Sequence, residues 1–212
     1  MRPSLSRLAC ATVFTLLAAT FAGAAANEFI TTWKAPVTAP LNFAGRKVAA
    51  VLVTEDTNLR VSAEEALARE ISARGPVGVP SYRIIPREEL KKPESAKSWF
   101  ERTGVQGVVI LRPVKTEIDK VYSSFVWTSG YYNYAYDYWG SAWGSVYPIG
   151  GGRDQRTITV ETLMYDLVKG TPIWAGVSRT TDPKDVQSYI KSLAADIVKQ
   201  LEKDGLVRTR PH

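Results

Sequence analysis

Four tyrosines, Tyr132, Tyr134, Tyr136 and Tyr138, recur at every second position, and Trp139 and Trp143 follow among glycines and serines. In an extended segment this spacing puts the four phenols on one face, opposite Asn133, Ala135 and Asp137. Flat rings with a polar tip suit sugar rings, peptide partners or a bilayer interface, so the chemistry here is binding. Half of the chain's aromatic residues lie between Tyr122 and Tyr147, with almost no aliphatic residue beside them. A connection this long inside a compact domain is generally functional or disordered. Three arrangements remain open: the segment folds back over its own sheet or extends a hairpin, forms an exposed binding surface, or is a disordered insertion.

The second polar constellation is Glu55-Asp56, with Asn58 and Arg60 in the same loop. It follows an apolar run that reads as the first parallel strand, and open α/β sheets place ligands at the carboxyl ends of such strands. A polar ligand, a divalent ion or hydrolytic carboxylates would fit; so would a solvated loop in which Arg60 pairs locally. A glycosidase needs a second carboxylate across the sugar, and spacing alone does not bring Asp137, Asp154 or Glu161 to Glu55.

Other chemistries are poorly supplied. His212 is the only histidine and ends the chain, which disfavours a Ser-His-Asp triad, a histidine base or a histidine metal cluster. Ser188-Tyr-Ile-Lys191 matches the S-x-x-K pattern of penicillin-binding proteins, but Lys169-Gly170-Thr171 has the wrong order for its K-T-G companion. Gly150-Gly151-Gly152-Arg153 precedes a strand instead of opening a helix, unlike a phosphate loop, and no G-x-G-x-x-G or Walker pattern occurs. No cofactor, no metal and no catalytic residue are expected.

The elements that must position these residues are legible in outline. Arg2 and Arg7 precede an uncharged run over 8–21 and the small residues 22–26, the layout of a secretory signal with Ala-x-Ala sites after Ala24 or Ala26. The only cysteine, Cys10, lies within it, so the mature chain has no thiol or disulfide, which suits a bacterial periplasm. Residues 27–46, with two prolines and no periodicity, read as an extended arm. Residues 47–53 form a continuous apolar run suited to a strand buried on both faces. Ser62-Ala-Glu-Glu65 reads as a capping box opening a helix. A strand is expected over 81–85, a helix over 94–102 and a strand from 107 that could reach Phe125. Residues 156–167 and 172–180 read as a hairpin. A last helix begins at Asp182-Pro183, carries its apolar face from Val186 to Leu201 and ends at Gly205.

The order is β-α-β-α-β-β-β-α, an α/β fold with one mixed sheet, parallel in its first half and antiparallel in its second, and helices packed on it. The aromatic insertion spans 123–155 of a domain running 47–207, before a tail of 208–212. The net charge of +6 is scattered, which points to ordinary solvation or envelope surfaces and not to nucleic acid.

The stretches Thr32-Trp33-Lys34-Ala35-Pro36, Val79-Pro80-Ser81-Tyr82, Gly104-Val105-Gln106-Gly107-Val108-Val109, Tyr165-Asp166 to Trp174, and Leu201-Glu-Lys-Asp-Gly-Leu206 resemble a family of uncharacterised bacterial envelope proteins. Many of its members are lipoproteins with a Tyr-rich insertion at this place; this chain lacks a usable lipobox. The element order is also similar to the soluble domains of curli-secretion channel subunits, to penicillin-binding-protein activator lipoproteins and to the TolB amino-terminal domain. Export, the aromatic insertion and the missing catalytic sets together point to a non-catalytic periplasmic accessory protein whose partner is an envelope protein or glycan, with peripheral membrane contact a further use of such rings. A hydrolase using Glu55 and Asp56, or a structural oligomer, is the alternative. If the signal reading is right, intact mass measurement of the exported protein will give a chain beginning at Ala25 or Asn27; a retained Met1 would overturn it.

Overall fold

Apolar runs without alternation need cover on both sides, and the sheet they build here is covered on both. The computed structural model describes residues 27–36, 43–114, 132–149 and 157–207. The expected signal (1–26), the middle of the arm, the strand extension toward Phe125, the triple glycine with Arg153, and the tail with His212 lie outside these residues.

The strands are β1 (Glu28–Lys34), β2 (Lys47–Leu52), β3 (Val77–Pro80), β4 (Val105–Val114), β5 (Thr157–Asp166) and β6 (Thr171–Thr181). They form one sheet of order β1-β6-β5-β4-β2-β3. β2 is parallel to both β3 and β4, and every other pairing is antiparallel. The mixed α/β sheet expected from the sequence is therefore present.

The helices are α1 (Thr57–Ser72), α2 (Arg87–Leu90), α3 (Pro93–Thr103), α4 (Ala135–Gly144) and α5 (Val186–Lys203). Alternate residues of β2 point to opposite faces. Val48, Ala50 and Leu52 meet α1 and α5, whereas Ala49, Val51 and Val53 meet the layer built by α2, α3 and α4. The result is three layers with two cores.

Several boundaries differ from expectation. α1 begins at Thr57, five residues before Ser62, because the Asp56 carboxylate accepts from the Asn58 and Leu59 amides and caps the helix at once. Ser62 instead lies within the helix and accepts from Gln187. The strand expected over 81–85 lies earlier, as β3, and 81–83 is a 3₁₀ turn: the Ser81 hydroxyl and the Tyr82 amide are drawn to the Glu64 carboxylate, which bends the chain out of the sheet. Gly78 lets β3 approach α1 closely, since a Cβ there would stand 2.0 Å from the Ala68 carbonyl oxygen. α3 stops at Gly104, whose φ of 70° is the left-handed cap. Part of the arm is strand β1, which pairs with β6; with no strand on its other side among the described residues, it shows no long apolar run. α5 is capped by Asp185, not Asp182, through the Ser188 amide.

The α5 stripe Tyr189, Ile190, Leu193, Ala194, Ile197, Val198 and Leu201 is buried against the sheet and α1. Leu193 is 3% exposed, so Leu193→Ala should lower stability in urea melts by about 2–5 kcal/mol; a loss under about 1 kcal/mol would contradict this packing. The Ser188 amide, hydrogen-bonded to Asp185, holds that carboxyl below its ordinary value. Its contribution is therefore present above the unfolded-state value of about 3.9 and lost as pH falls through the lower folded value. Asp185→Asn, which still caps, should retain neutral stability and flatten the acid side of a stability–pH profile.

Candidate functional site

The aromatic segment described here, residues 132–149, is neither an extended strand nor a bare surface. Its centre is α4, and the helical period sorts its residues: Ala135, Tyr138, Trp139 and Ala142, at i, i+3, i+4 and i+7, form the buried face. The expected single face of four tyrosines is thus split, because 3.6-residue periodicity replaces 2. Tyr132 and Tyr138 turn inward, Tyr136 is half-buried and Tyr134 is 55% exposed. The Ala135 amide donates to the Gly170 carbonyl in the β5–β6 turn and fixes the start of the helix.

Inward, the segment closes on one carboxylate. Glu161, on β5, is fully buried. The Tyr132 hydroxyl donates to its Oε2 at 2.7 Å and the Tyr138 hydroxyl to its Oε1 at 2.7 Å. Arg112 of β4, directly opposite Glu161 in the ladder, donates through Nη1 at 3.2 Å and reaches the Ser145 hydroxyl through Nη2 at 2.9 Å. Tyr132 and Tyr138 stack with centroids 5.6 Å apart, and the Tyr165 hydroxyl donates to the Tyr132 carbonyl. Burial, and then the Glu161 charge, push the Tyr138 phenol well above its ordinary value, so it remains a donor. Trp139 packs edge-on against Phe100 and donates its indole N–H to the Leu90 carbonyl.

Outward, the rings are less committed. Lys97 stands over Tyr136 at 5.9 Å, and Arg102 covers Trp99 at 4.4 Å. Trp143 is half-buried beside Val51 and Val53, and Tyr147 is 37% exposed.

The Glu55 group is placed at the carboxyl end of β2, in the order the sequence suggests. Glu55 is exposed, and its carboxylate pairs with Arg87 at 2.6 Å and Lys91 at 3.0 Å. The Lys91 hydrogen bond, together with the Lys91 and Arg87 charges, holds the Glu55 carboxyl below its ordinary value. Asp56 is the α1 cap, and Asn58 supplies one of the amides it binds. Arg60 does not join them. It is buried and donates to Glu64 Oε1 at 3.0 Å and to the Ser81 hydroxyl. Glu64 also accepts from Ser81 and from the Leu52 and Tyr82 amides; burial raises its carboxyl, and the Arg60 charge, Ser81 and the Tyr82 amide oppose the rise. Ser188 and Lys191 are exposed near the start of α5.

Arg112, Glu64 and Ser145 were not singled out by sequence reading, and Glu161 appeared only as a possible distant carboxylate. A usable signal was present: Ala135-x-x-Tyr138-Trp139-x-x-Ala142 has helical spacing. A helix there would cover the polar-looking face of 157–166 and force Glu161 to find donors.

No protein-family model matches the chain, and no curated protein sequence matches it. Among solved structures it is similar to the PelC dodecamer from Paraburkholderia phytofirmans, at 15% identity and a TM-score of 0.48, over 88% of this chain and 100% of that one. A point variant of that dodecamer from the same organism gives 15% identity and a TM-score of 0.46, over 81% and 98%. No residue role is carried across.

Breaking a buried ion pair by removing one partner costs about 3–5 kcal/mol; Glu161→Ala should cost that much in denaturant melts, since it takes the shared acceptor from Arg112, Tyr132 and Tyr138. Tyr138→Phe removes one hydrogen bond to a charged group and should cost about 1.5–3 kcal/mol. Because the folded-state value of Tyr138 is raised, its contribution is intact below the unfolded value of about 10 and declines as pH rises beyond it. The variant should therefore show a shallower alkaline slope than the parent protein; identical slopes would contradict the assignment.

Proposed function

We propose that the chain is a non-catalytic periplasmic accessory protein that binds an envelope partner, protein or glycan, through the outer side of its aromatic segment. The observation that carries this reading is the division of labour within residues 132–149. Tyr132, Tyr138 and Trp139 are consumed in covering the sheet, while Tyr134 and Tyr147 stand out of the packed layer. Exposed rings stack on the apolar faces of sugars and on peptide side chains, and their hydroxyls remain available to hydrogen-bond. The half-buried Tyr136 and Trp143 border them in sequence, and Lys97 beside Tyr136 adds a cation for an anionic partner. The basic and apolar leader followed by Ala-x-Ala sites supports export.

The engagement of Glu55 by Arg87 and Lys91, and of Asp56 by the α1 amides, supports positional roles for these carboxylates. The test is capture on immobilised envelope polysaccharide and chemical crosslinking in the native periplasm. Tyr134→Ser/Tyr147→Ser should leave the melting temperature nearly unchanged and abolish both signals. Glu55→Ala/Asp56→Ala should keep them. Undiminished capture by the tyrosine variant, or turnover of a glycan that the carboxylate variant loses, would defeat the reading. Tyr138→Ser serves as the structural control and should cost about 3 kcal/mol or more, as loss of a buried ring.

A further inference from the structure

β1 closes one side of the sheet and has no strand partner beyond it among the described residues. It is seven residues long, whereas the opposite edge strand β3 has four and ends in Pro80, which lacks an amide hydrogen. Charges occupy its ends, Glu28 and Lys34, and the stretch 29–33 between them is uncharged. The Ala35 amide donates inward to the Ile173 carbonyl. Antiparallel alternation then turns the backbone groups of 31 and 33 toward β6, and those of Thr32 and Lys34 outward. The bulge between Phe29 and Thr31 confines the regular edge to this half.

Beside that edge runs α5. Asn27 Nδ2 donates to Asp196 Oδ2 at 2.7 Å at one end, and Lys34 Nζ donates to the Asp204 carbonyl at 2.7 Å at the other, so strand and helix run together in the same direction. Between them lies a groove of about 480 Å³ with Phe29 in its wall. Phe29 is itself braced edge-on against Trp174. The helix contributes Asp196, Lys199, Gln200 and Lys203, which share one stripe by their i, i+3, i+4 and i+7 spacing.

The charges in this groove are unevenly committed. Asp196 is held by Asn27, Glu202 by Arg74 at 3.2 Å, and Gln200 donates to Asp204. The side chains of Lys199 and Lys203 are exposed, and neither ammonium group has a hydrogen bond or ion pair among the described residues. An open strand edge next to a groove is the arrangement by which an extended peptide is held: main-chain hydrogen bonds supply affinity, and alternate side chains enter the groove. Two uncommitted lysines on the wall select carboxylates.

We propose that the free edge of β1 and the β1–α5 groove bind an extended acidic polypeptide by strand addition, with Thr32 and Lys34 supplying the backbone hydrogen bonds and Lys199 and Lys203 the charge recognition. This surface lies on the face of the sheet opposite α4, so it is separate from the aromatic site.

The experiment uses the exported protein, isotopically labelled, titrated with a capped decapeptide of alternating threonine and glutamate and with its threonine–lysine counterpart. Amide shifts should change in 28–34 and along the Lys199–Lys203 stripe with the glutamate peptide. Thr32→Pro removes an outward amide without touching the β6 ladder and should abolish the change while leaving circular dichroism intact. Should that variant unfold, Lys199→Glu/Lys203→Glu decides: it should weaken the glutamate peptide by about tenfold and favour the lysine peptide, the effect of reversing two exposed charges of under 1 kcal/mol each. Absence of shifts at millimolar peptide, shifts confined to 132–149, or no dependence on charge reversal would overturn the proposal. So would sedimentation showing that β1 is occupied by a second copy, with the peptide unable to displace it.

Discussion

A carboxylate with no access to water must be given donors, and the buried Glu161 is the point at which the fold of this protein is tied together. Its donors come from separate parts of the chain: Arg112 from β4, and Tyr132 and Tyr138 from the aromatic segment. The segment can depart from the sheet only by withdrawing two of the three donors that this charge has, each a hydrogen bond to a charged group worth about 1.5–3 kcal/mol. The clamp therefore turns a Gly- and Ser-rich stretch with few aliphatics into a packed layer. Its chemistry also explains why tyrosine is used. The ring fills volume against Val51, Ile110 and Tyr165, and the hydroxyl, kept protonated by its surroundings, serves the carboxylate.

A comparable device holds the opposite layer. Glu64 on α1 gathers the Leu52 amide at the end of β2, Arg60 one helical turn away, and Ser81 and Tyr82 where β3 ends. One acid thus ties each layer to the sheet, Glu64 at its parallel strands and Glu161 at its antiparallel ones. The two faces differ in composition for the same reason they differ in anchoring. Aliphatic residues dominate under α1 and α5, where long regular helices offer continuous stripes. On the α4 face the core is also largely aliphatic, but Phe100, Tyr132, Tyr138, Trp139 and Tyr165 give it a larger share of rings, several of them supplied by the ten-residue α4 and the residues before it.

The outer rings of the aromatic layer, and the edge of β1 with its lysine-lined groove, which has no further strand among the described residues, are features that the two cores do not require. They lie on opposite sides of the sheet.

The sequence alone determined the class of fold, because its cues are local. The apolar run of β2 has no alternation and so demands cover on both sides; the α5 stripe repeats at helical spacing; Gly104 permits the cap that ends α3. Asp56 was legible as an acid at a strand end, but its use as a cap depends on where α1 begins. That start is fixed by competition with Ser62, which local pattern favoured. The tertiary structure alone decided the aromatic segment. Tyrosines at alternate positions satisfy period 2, while the Ala135, Tyr138, Trp139 and Ala142 stripe satisfies period 3.6. The choice was made by Glu161, 23 residues beyond Tyr138, and by a turn carbonyl at Gly170. Long-range donors and acceptors of this kind leave no local pattern, since the energy that selects them appears only when the sheet is assembled and water is excluded.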